Sequence, residues 1–201
     1  MVSKPEEYFR RWVQERSDLL LALESEAEAQ AIPIIGPMVG QLLYLLAKLI
    51  DARRIFELGT ATGYSAIFLG SACQATNGQL TTFEIDPVLA QRAAVNINSA
   101  GLDPWVSVQC QDALVGLEET ESKANMIFLD IEKADYEKAL ALCGERLLHN
   151  GLLVADNTGF KDAHGFNRAV FDDPGWESVN LWTFLPGHSP EYDGLCIALR
   201  R

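Results

Sequence analysis

Hydrophobic and polar positions divide the chain into two regions with different periodicities. From Pro5 to about residue 30, leucines recur among glutamates at helical spacing, and a second helical face runs from Pro37 to Leu49. After residue 50, short apolar runs bounded by turn residues alternate with segments of helix length. The pattern therefore predicts two N-terminal helices followed by alternating strands and helices.

The alternating region predicts an α/β fold with a seven-stranded sheet. The predicted strands are residues 54–58, 80–84, 105–109, 125–130, 151–156, 177–184 and 195–200. The predicted helices lie near residues 63–75, 87–99, 133–148 and 161–171. Such alternation is typical of a mostly parallel, Rossmann-like sheet with helices on both faces. The loop 186–194 is too short for a crossover helix, so the last two strands are predicted to form an antiparallel C-terminal hairpin.

Length and composition favour one globular domain over residues 1–201, with N-terminal helices in 1–50 and the Rossmann-like core in 51–201. The net charge of −12 makes binding to nucleic acid or to an anionic membrane unfavourable. No apolar secretory segment or membrane-spanning segment is evident, and the four cysteines form no C-x-x-C pair. These features predict a cytoplasmic protein.

Each of the first five predicted strands carries an acidic residue at or near its carboxyl end. These residues are Glu57, Glu84, Asp112, Asp130 and Asp156. Core packing does not require acids at these positions. In open α/β sheets, ligands bind beyond the carboxyl ends of the strands. The pattern therefore predicts a binding site at that edge of the sheet.

A glycine loop follows the first strand and narrows the choice of ligand. Gly59 and Gly63 allow close approach of the backbone to a ligand, but the G-x-G-x-x-G spacing of dinucleotide sites is absent. Glu57 would also lie beside any pyrophosphate, which is electrostatically unfavourable. S-adenosylmethionine carries an ammonium and a sulfonium group and fits better. Glu84 is then placed to accept hydrogen bonds from ribose hydroxyls.

Successive motifs resemble those of the metal-dependent class I O-methyltransferases, which include the catechol and caffeoyl-CoA O-methyltransferases. The motifs read FELGTATGYSAIFLG, FEID, QDAL, FLDIEKADY and VADNTGF. The likeness runs from about residue 33 to residue 157, with a weaker echo in the C-terminal LP…DGLCIALR. The resemblance implies a methyltransferase that uses S-adenosylmethionine and a divalent cation.

The resemblance also implies roles for individual residues. The cofactor-binding residues are Glu57, Gly59, Gly63, Tyr64, Ser65, Glu84, Ile85, Asp112, Ala113 and Asp130. The three protein ligands of the cation are Asp130, Asp156 and Asn157, and the catalytic residues are Lys133, as general base, and Asp130. Two carboxylates and an amide oxygen suit Mg²⁺ best, with Ca²⁺ or Mn²⁺ as alternatives. A cation chelated by two adjacent acceptor oxygens favours the ionised hydroxyl. The predicted reaction is methyl transfer to a vicinal-diol, catechol-like or phenolic small molecule.

The substrate class remains open because the sequence departs from the family after Asn157. The usual tryptophan-containing substrate loop is missing, and the loop 186–194 is longer than the family's usual connection. A bulky coenzyme-A ester is therefore less favoured than a small acceptor, and His164 and His188 are candidate substrate contacts.

Other functions stay open at this point. One is methylation of a hydroxylated tRNA uridine, which the acidic charge disfavours. A second is a nicotinamide-dependent oxidoreductase, and a third is a non-catalytic protein that retains the fold. The leucine-rich segments 19–23 and 42–49 predict a homodimer, which a 22 kDa species in sedimentation would contradict.

Overall fold

A computed structural model describes all residues from 1 to 201. Its N-terminal region contains helices α1 (Pro5–Arg10), α2 (Asp18–Gln30) and α3 (Gly36–Leu49). The prediction of one helix from residue 5 to about residue 30 was wrong. Ser17 is extended, and its hydroxyl accepts a hydrogen bond from the Leu20 amide at 3.3 Å, so that a new helix begins after it. None of the helices has the length and apolar character needed to cross a bilayer.

The seven predicted strands form one sheet. They are β1 (Arg54–Leu58), β2 (Gln79–Glu84), β3 (Val106–Cys110), β4 (Ala124–Leu129), β5 (Leu147–Ala155), β6 (Trp176–Phe184) and β7 (Tyr192–Arg200). Their spatial order is β3-β2-β1-β4-β5-β7-β6. Strands β1 to β5 pair in parallel, whereas β7 runs antiparallel to both β5 and β6. The mostly parallel sheet with an antiparallel C-terminal hairpin is thus confirmed.

Five further helices connect the strands, four of them predicted. They are α4 (Tyr64–Thr76), α5 (Pro87–Ser99), α6 (Ala113–Glu119), α7 (Tyr136–Arg146) and α8 (His164–Asp172). Helix α6 was missed because its seven residues are too few for a clear period; Asp112 starts it by accepting hydrogen bonds from two of its amides. Short 3₁₀ turns, Lys133–Asp135 and Lys161–Ala163, precede α7 and α8.

Both faces of the sheet are covered, as the alternation of strands and helices predicted. Ile55 points into a core of 25 buried residues that includes side chains of helices α2 to α5. Its neighbour Phe56 points into a core of 21 buried residues that includes side chains of helices α6 to α8. Neighbouring strand residues face opposite sides, so the apolar runs of the strands fill both cores.

The order of the strands determines where a ligand can bind. Strands β2 and β3 lie on one side of β1, and β4 and the later strands lie on its other side. The strand order therefore reverses between β1 and β4. A crevice opens beyond the carboxyl ends of parallel strands at such a reversal. Because β7 is antiparallel to β5, it enters the sheet where β5 leaves it. The segment 185–191, which joins β6 to β7, therefore lies beside the Asp156-Asn157 turn.

Candidate active site

The loop after β1 closes tightly against the end of β4. The Gly59 amide donates a hydrogen bond to the Phe83 carbonyl at 3.1 Å, and the Asp130 amide donates to the Leu58 carbonyl at 2.9 Å. Gly59 has a φ of +97°, and a Cβ atom there would lie 2.0 Å from the backbone oxygen of Asp130. Only glycine therefore fits between these strand ends.

We expect Gly59→Ala to destabilise the fold far more than Gly101→Ala. Both glycines have positive φ, but a Cβ at Gly101 has nothing within 4 Å. Gly101→Ala should cost about 1–2 kcal/mol from its backbone conformation alone. Gly59→Ala adds a backbone clash and should cost at least about 2 kcal/mol more. Urea unfolding of both variants measures the difference, and equal losses would contradict the tight closure at Gly59.

A cleft of about 410 Å³ lies at the carboxyl ends of β1, β2 and β4. Its lining includes the predicted cofactor residues Gly59, Glu84, Ile85, Asp112, Ala113 and Asp130, together with Lys133. Glu84 accepts hydrogen bonds from the backbone amides of Ala61 at 2.8 Å and Asp86 at 2.9 Å. Each carboxylate oxygen can accept more than one hydrogen bond, so Glu84 is held in place and can still bind hydroxyl groups.

Glu57 lies fully buried at the end of β1, and neither of its carboxylate oxygens has a hydrogen-bond partner. Burial raises the pKa of Glu57 to about 8, although the nearby hydroxyls of Ser65 and Thr82 partly oppose the shift without completing a hydrogen bond. The charges of Asp130 and Glu84 raise this pKa further. A buried carboxylate without a partner is energetically costly. A positively charged ligand that binds beside Glu57 would remove this cost.

The remaining glycine-loop residues have different surroundings. Ser65 and Tyr64 line a smaller recess of about 100 Å³ that shares Gly59, Glu84 and Asp130 with the cleft. The hydroxyl of Tyr64 is directed away from the glycine loop and donates to Glu24 of α2 at 2.7 Å. Gly63 lies outside both linings, and a Cβ there would lie 3.3 Å from Ala93 of α5. Gly63 therefore serves close packing between helices.

Lys133 and Asp130 face each other across the turn that follows β4. The Lys133 ammonium donates to Asp130 Oδ1 at 3.0 Å and lies 5.6 Å from the centre of the Tyr136 ring. Both side chains are about three-quarters buried, with 21% and 26% of their surface exposed. A cationic group and an acid are therefore paired at the wall of the cleft, where an acceptor hydroxyl can reach them.

The Asp156-Asn157 turn is supported by residues that the sequence analysis did not identify. Asp193, buried in β7, accepts hydrogen bonds from Asn157 Nδ2 at 2.6 Å and from the amides of Gly159 and Gly194. The buried Tyr136 hydroxyl lies 3.0 Å from the Asp156 carbonyl. Asn157 thus uses its amide nitrogen on Asp193, and its side-chain oxygen remains available as a ligand. The only sequence signal was the acid in the C-terminal DGLCIALR.

His188 binds the carboxylate of Asp156 directly. Its Nε2 lies 3.0 and 2.8 Å from the two oxygens of Asp156, and its Nδ1 lies 2.6 Å from the Pro190 carbonyl. Both side chains are 1% exposed. Burial, together with the charge of Asp130, raises the pKa of Asp156 although His188 opposes the shift. Burial lowers the pKa of His188, but Asp156 and the Pro190 carbonyl outweigh it and raise this pKa overall.

The donor atoms at the ends of β4 and β5 fit a hard divalent cation by their chemistry. Asp130, Asp156 and the side-chain oxygen of Asn157 offer oxygen atoms only. No three His, Cys, Asp or Glu side chains converge on one point, and each carboxylate is bound by a side-chain nitrogen, that of Lys133 or that of His188. A cation here would therefore need the Asn157 oxygen and oxygens from outside the protein.

A second cavity of about 640 Å³ adjoins the cleft and shares Pro33 with it. Its walls come from α2, from residues 31–34 and from residues 187–189, including Leu21, Glu24, Ile34 and His188. Of the two predicted substrate contacts, His188 lines this cavity whereas His164 lies outside both the cleft and this cavity. The long loop 186–194 thus forms part of a wall beside the cleft.

Comparison with known proteins agrees with this architecture. The model of a family described as O-methyltransferase matches residues 15–181. A catechol O-methyltransferase from Niastella koreensis is 39% identical over 144 residues, which cover 69% of this chain. That match spans 65% of the relative's own length, just under two thirds.

Solved structures share the fold along the whole chain. An O-methyltransferase from Bacillus cereus, in complex with S-adenosylhomocysteine, has a TM-score of 0.87 at 23% identity and covers 99% of this chain and 98% of its own. The O-methyltransferase of tomaymycin synthesis from Streptomyces achromogenes, in complex with S-adenosylmethionine, has a TM-score of 0.86 at 24% identity, with coverages of 98% and 96%. At these identities the likeness shows the fold. Because the family model covers most of the sequence, the chain belongs to the class I S-adenosylmethionine O-methyltransferase family.

Proposed function

We propose that the chain transfers a methyl group from S-adenosylmethionine to one hydroxyl of a vicinal-diol, catechol-like small molecule, with the help of a divalent cation. The observation that carries the proposal is the fully buried, unpartnered carboxylate of Glu57. Glu57 lies outside the cleft lining but two residues before Gly59, which lines the cleft together with Glu84 and Asp112. Together these acids suit a ligand with an ammonium group, ribose hydroxyls and no phosphate. When bound, S-adenosylmethionine supplies the methyl group on its positively charged sulfur.

Different residues would bind different parts of the cofactor. Glu57 would hold the ammonium group, close to Gly59 and Ser65. Glu84, fixed by two backbone amides, would accept the ribose hydroxyls. Asp112 and Ala113 would border the adenine at the start of α6, together with Ile85, which is 67% exposed. Holding the cofactor and the acceptor side by side would supply much of the rate enhancement.

At the acceptor, Lys133 in its neutral amine form would take the proton from the reacting hydroxyl, and the methyl group would pass from the cofactor sulfur to that oxygen, leaving S-adenosylhomocysteine. Lys133 lies at the cleft wall, and the ion pair with Asp130 orients it. Asp130, Asp156 and Asn157 would hold a divalent cation, whose positive charge, when it is bound, would favour the ionised form of the acceptor hydroxyl. Mg²⁺ is the proposed cation because the donors are oxygen atoms, with Ca²⁺ or Mn²⁺ as alternatives.

The cavity beside the cleft supports a small acceptor. Its volume of about 640 Å³ lies within the usual range for small-molecule sites, and its lining combines apolar side chains with a few polar ones. Since the net charge is −12 and no specific contact favours RNA, a hydroxylated tRNA uridine is the weaker candidate.

Transfer of a labelled methyl group to a panel of acceptors tests the proposal. We expect turnover with catechol, little with phenol, and loss of turnover in the presence of a chelator, because phenol lacks the second chelating oxygen. Methylation of phenol as fast as catechol, insensitive to the chelator, would contradict the role of the cation. Parallel samples with tRNA and with NADH test the nucleic-acid and oxidoreductase alternatives.

A further inference from the structure

His188 forms a closed contact with one of the proposed cation ligands. A single nitrogen, Nε2, lies within 3.0 Å of both oxygens of Asp156. The other nitrogen faces the Pro190 carbonyl, which can only accept a hydrogen bond, so Nδ1 carries a proton. Nε2 faces a carboxylate, so a second proton must lie between His188 and Asp156. Whichever of the two groups holds that proton, the imidazole already occupies both oxygens of Asp156.

We propose that His188 competes with the divalent cation for Asp156 and thereby sets the affinity of the site. The inference rests on the proposed function, because it assumes that Asp156 is a cation ligand. The imidazole lies against both carboxylate oxygens, so a cation that binds Asp156 must share those oxygens with the ring or displace it. Breaking a buried pair leaves its partner uncompensated unless another positive charge takes its place.

The surroundings of His188 favour competition over direct coordination. Asp130, Asp156 and His188 do not converge as a three-ligand set, so the imidazole does not complete a cation site in its present position. The segment 187–189 lines the cavity of about 640 Å³, but the His188 ring itself is only 1% exposed and packs against Asp156. If His188 were a ligand of the cation, its Nε2 atom would face a point that the carboxylates of Asp130 and Asp156 also face.

Binding of Mn²⁺ at one fixed pH, followed by the EPR signal of the free ion, tests this inference. The proteins compared are wild type, His188→Ala, His188→Gln, Asp156→Ala and the control His149→Ala, whose side chain is exposed. We expect His188→Ala to tighten the Kd for Mn²⁺ at least about tenfold, because it removes the group that binds both oxygens of Asp156 and leaves that buried residue without a partner. His188→Gln should tighten the Kd less, since a neutral amide can still donate to Asp156.

The opposite result identifies a different role. If His188→Ala weakens Mn²⁺ binding, His188 is a ligand and the inference is overturned; an unchanged Kd overturns it as well. Should His188→Ala fail to fold, His188→Gln carries the same test with a smaller expected shift. Binding of S-adenosylhomocysteine to the same samples reports whether the cofactor cleft is intact.

The Asp156→Ala variant separates this inference from the proposed function. If Asp156→Ala loses Mn²⁺ while His188→Ala binds it like wild type, the cation site stands and only the competition fails. If every variant binds Mn²⁺ like wild type, Asp156 is not a ligand, and the cation part of the proposed function fails together with the inference. His149→Ala should behave like wild type in all cases.

Discussion

Replacing Lys133 by methionine is expected to lower kcat for methyl transfer by about 10²–10⁴-fold, the range typical for loss of a general base. Methionine keeps the length and packing of the side chain but cannot accept the proton of the acceptor hydroxyl. The affinity for S-adenosylhomocysteine should stay within about twofold of wild type, because Lys133 is not among the residues proposed to bind the cofactor. Steady-state kinetics and calorimetric titration measure the two quantities.

Two further variants make this test specific. Lys138 forms a similar ion pair with Asp135 at 2.9 Å, but it is 74% exposed and outside the cleft, so Lys138→Met should leave kcat unchanged. Lys133→Arg keeps the positive charge, yet a guanidinium does not release its proton near neutral pH. If Lys133 is the base, Lys133→Arg should be as slow as Lys133→Met. Recovery of activity in Lys133→Arg would show that charge alone is needed.

Replacing Glu57 by glutamine is expected to stabilise the cofactor-free protein while weakening cofactor binding. The pKa of Glu57 is about 8 in the folded protein, against an ordinary value of 4.5. A raised pKa means that the stability contribution of this group is complete below pH 4.5 and is lost as the pH rises towards 8. By pH 7 the loss amounts to about 3 kcal/mol, which the variant would not suffer.

Urea unfolding across this pH range measures the effect. The difference in unfolding free energy between Glu57→Gln and wild type should grow as the pH rises from about 5 to about 8. The exposed Glu118 of α6 provides the control, since Glu118→Gln should follow the wild-type curve. A constant difference across the range would mean that Glu57 is ionised throughout.

The Glu57→Gln substitution is expected to weaken cofactor binding, although it stabilises the cofactor-free protein. An ammonium group beside Glu57 requires the ionised carboxylate, so binding of S-adenosylhomocysteine to the wild type below pH 8 should release a proton and tighten as the pH rises. Glu57→Gln should show neither effect and should bind at least about tenfold more weakly at pH values above about 8. Calorimetry in buffers of different ionisation enthalpy measures the released protons. Equal proton release in both proteins would rule out Glu57 as the group that titrates.

Much of the fold follows from the sequence because its determinants are local. Apolar runs five to nine residues long, separated by helix-length segments, correspond to all seven strands. The proline at the start of α5 and the glycine after its end also mark that helix correctly. The break between α1 and α2 and the short helix α6 were missed because single capping residues, Ser17 and Asp112, create them. One polar side chain changes helical periodicity too little to be recognised.

Some features of the candidate site also follow from the sequence, whereas others depend on the tertiary structure. The sequence by itself determined that acids follow the ends of neighbouring parallel strands and that glycines lie in the loop after β1, since strand ends and turn residues are local features. Only the tertiary structure brought His188 and Asp193 to Asp156 and Asn157, more than thirty residues away in the chain. Their proximity depends on β7 lying antiparallel beside β5, a long-range pairing that no local pattern encodes. The burial that leaves Glu57 without a partner likewise arises only when the sheet and its helices pack together.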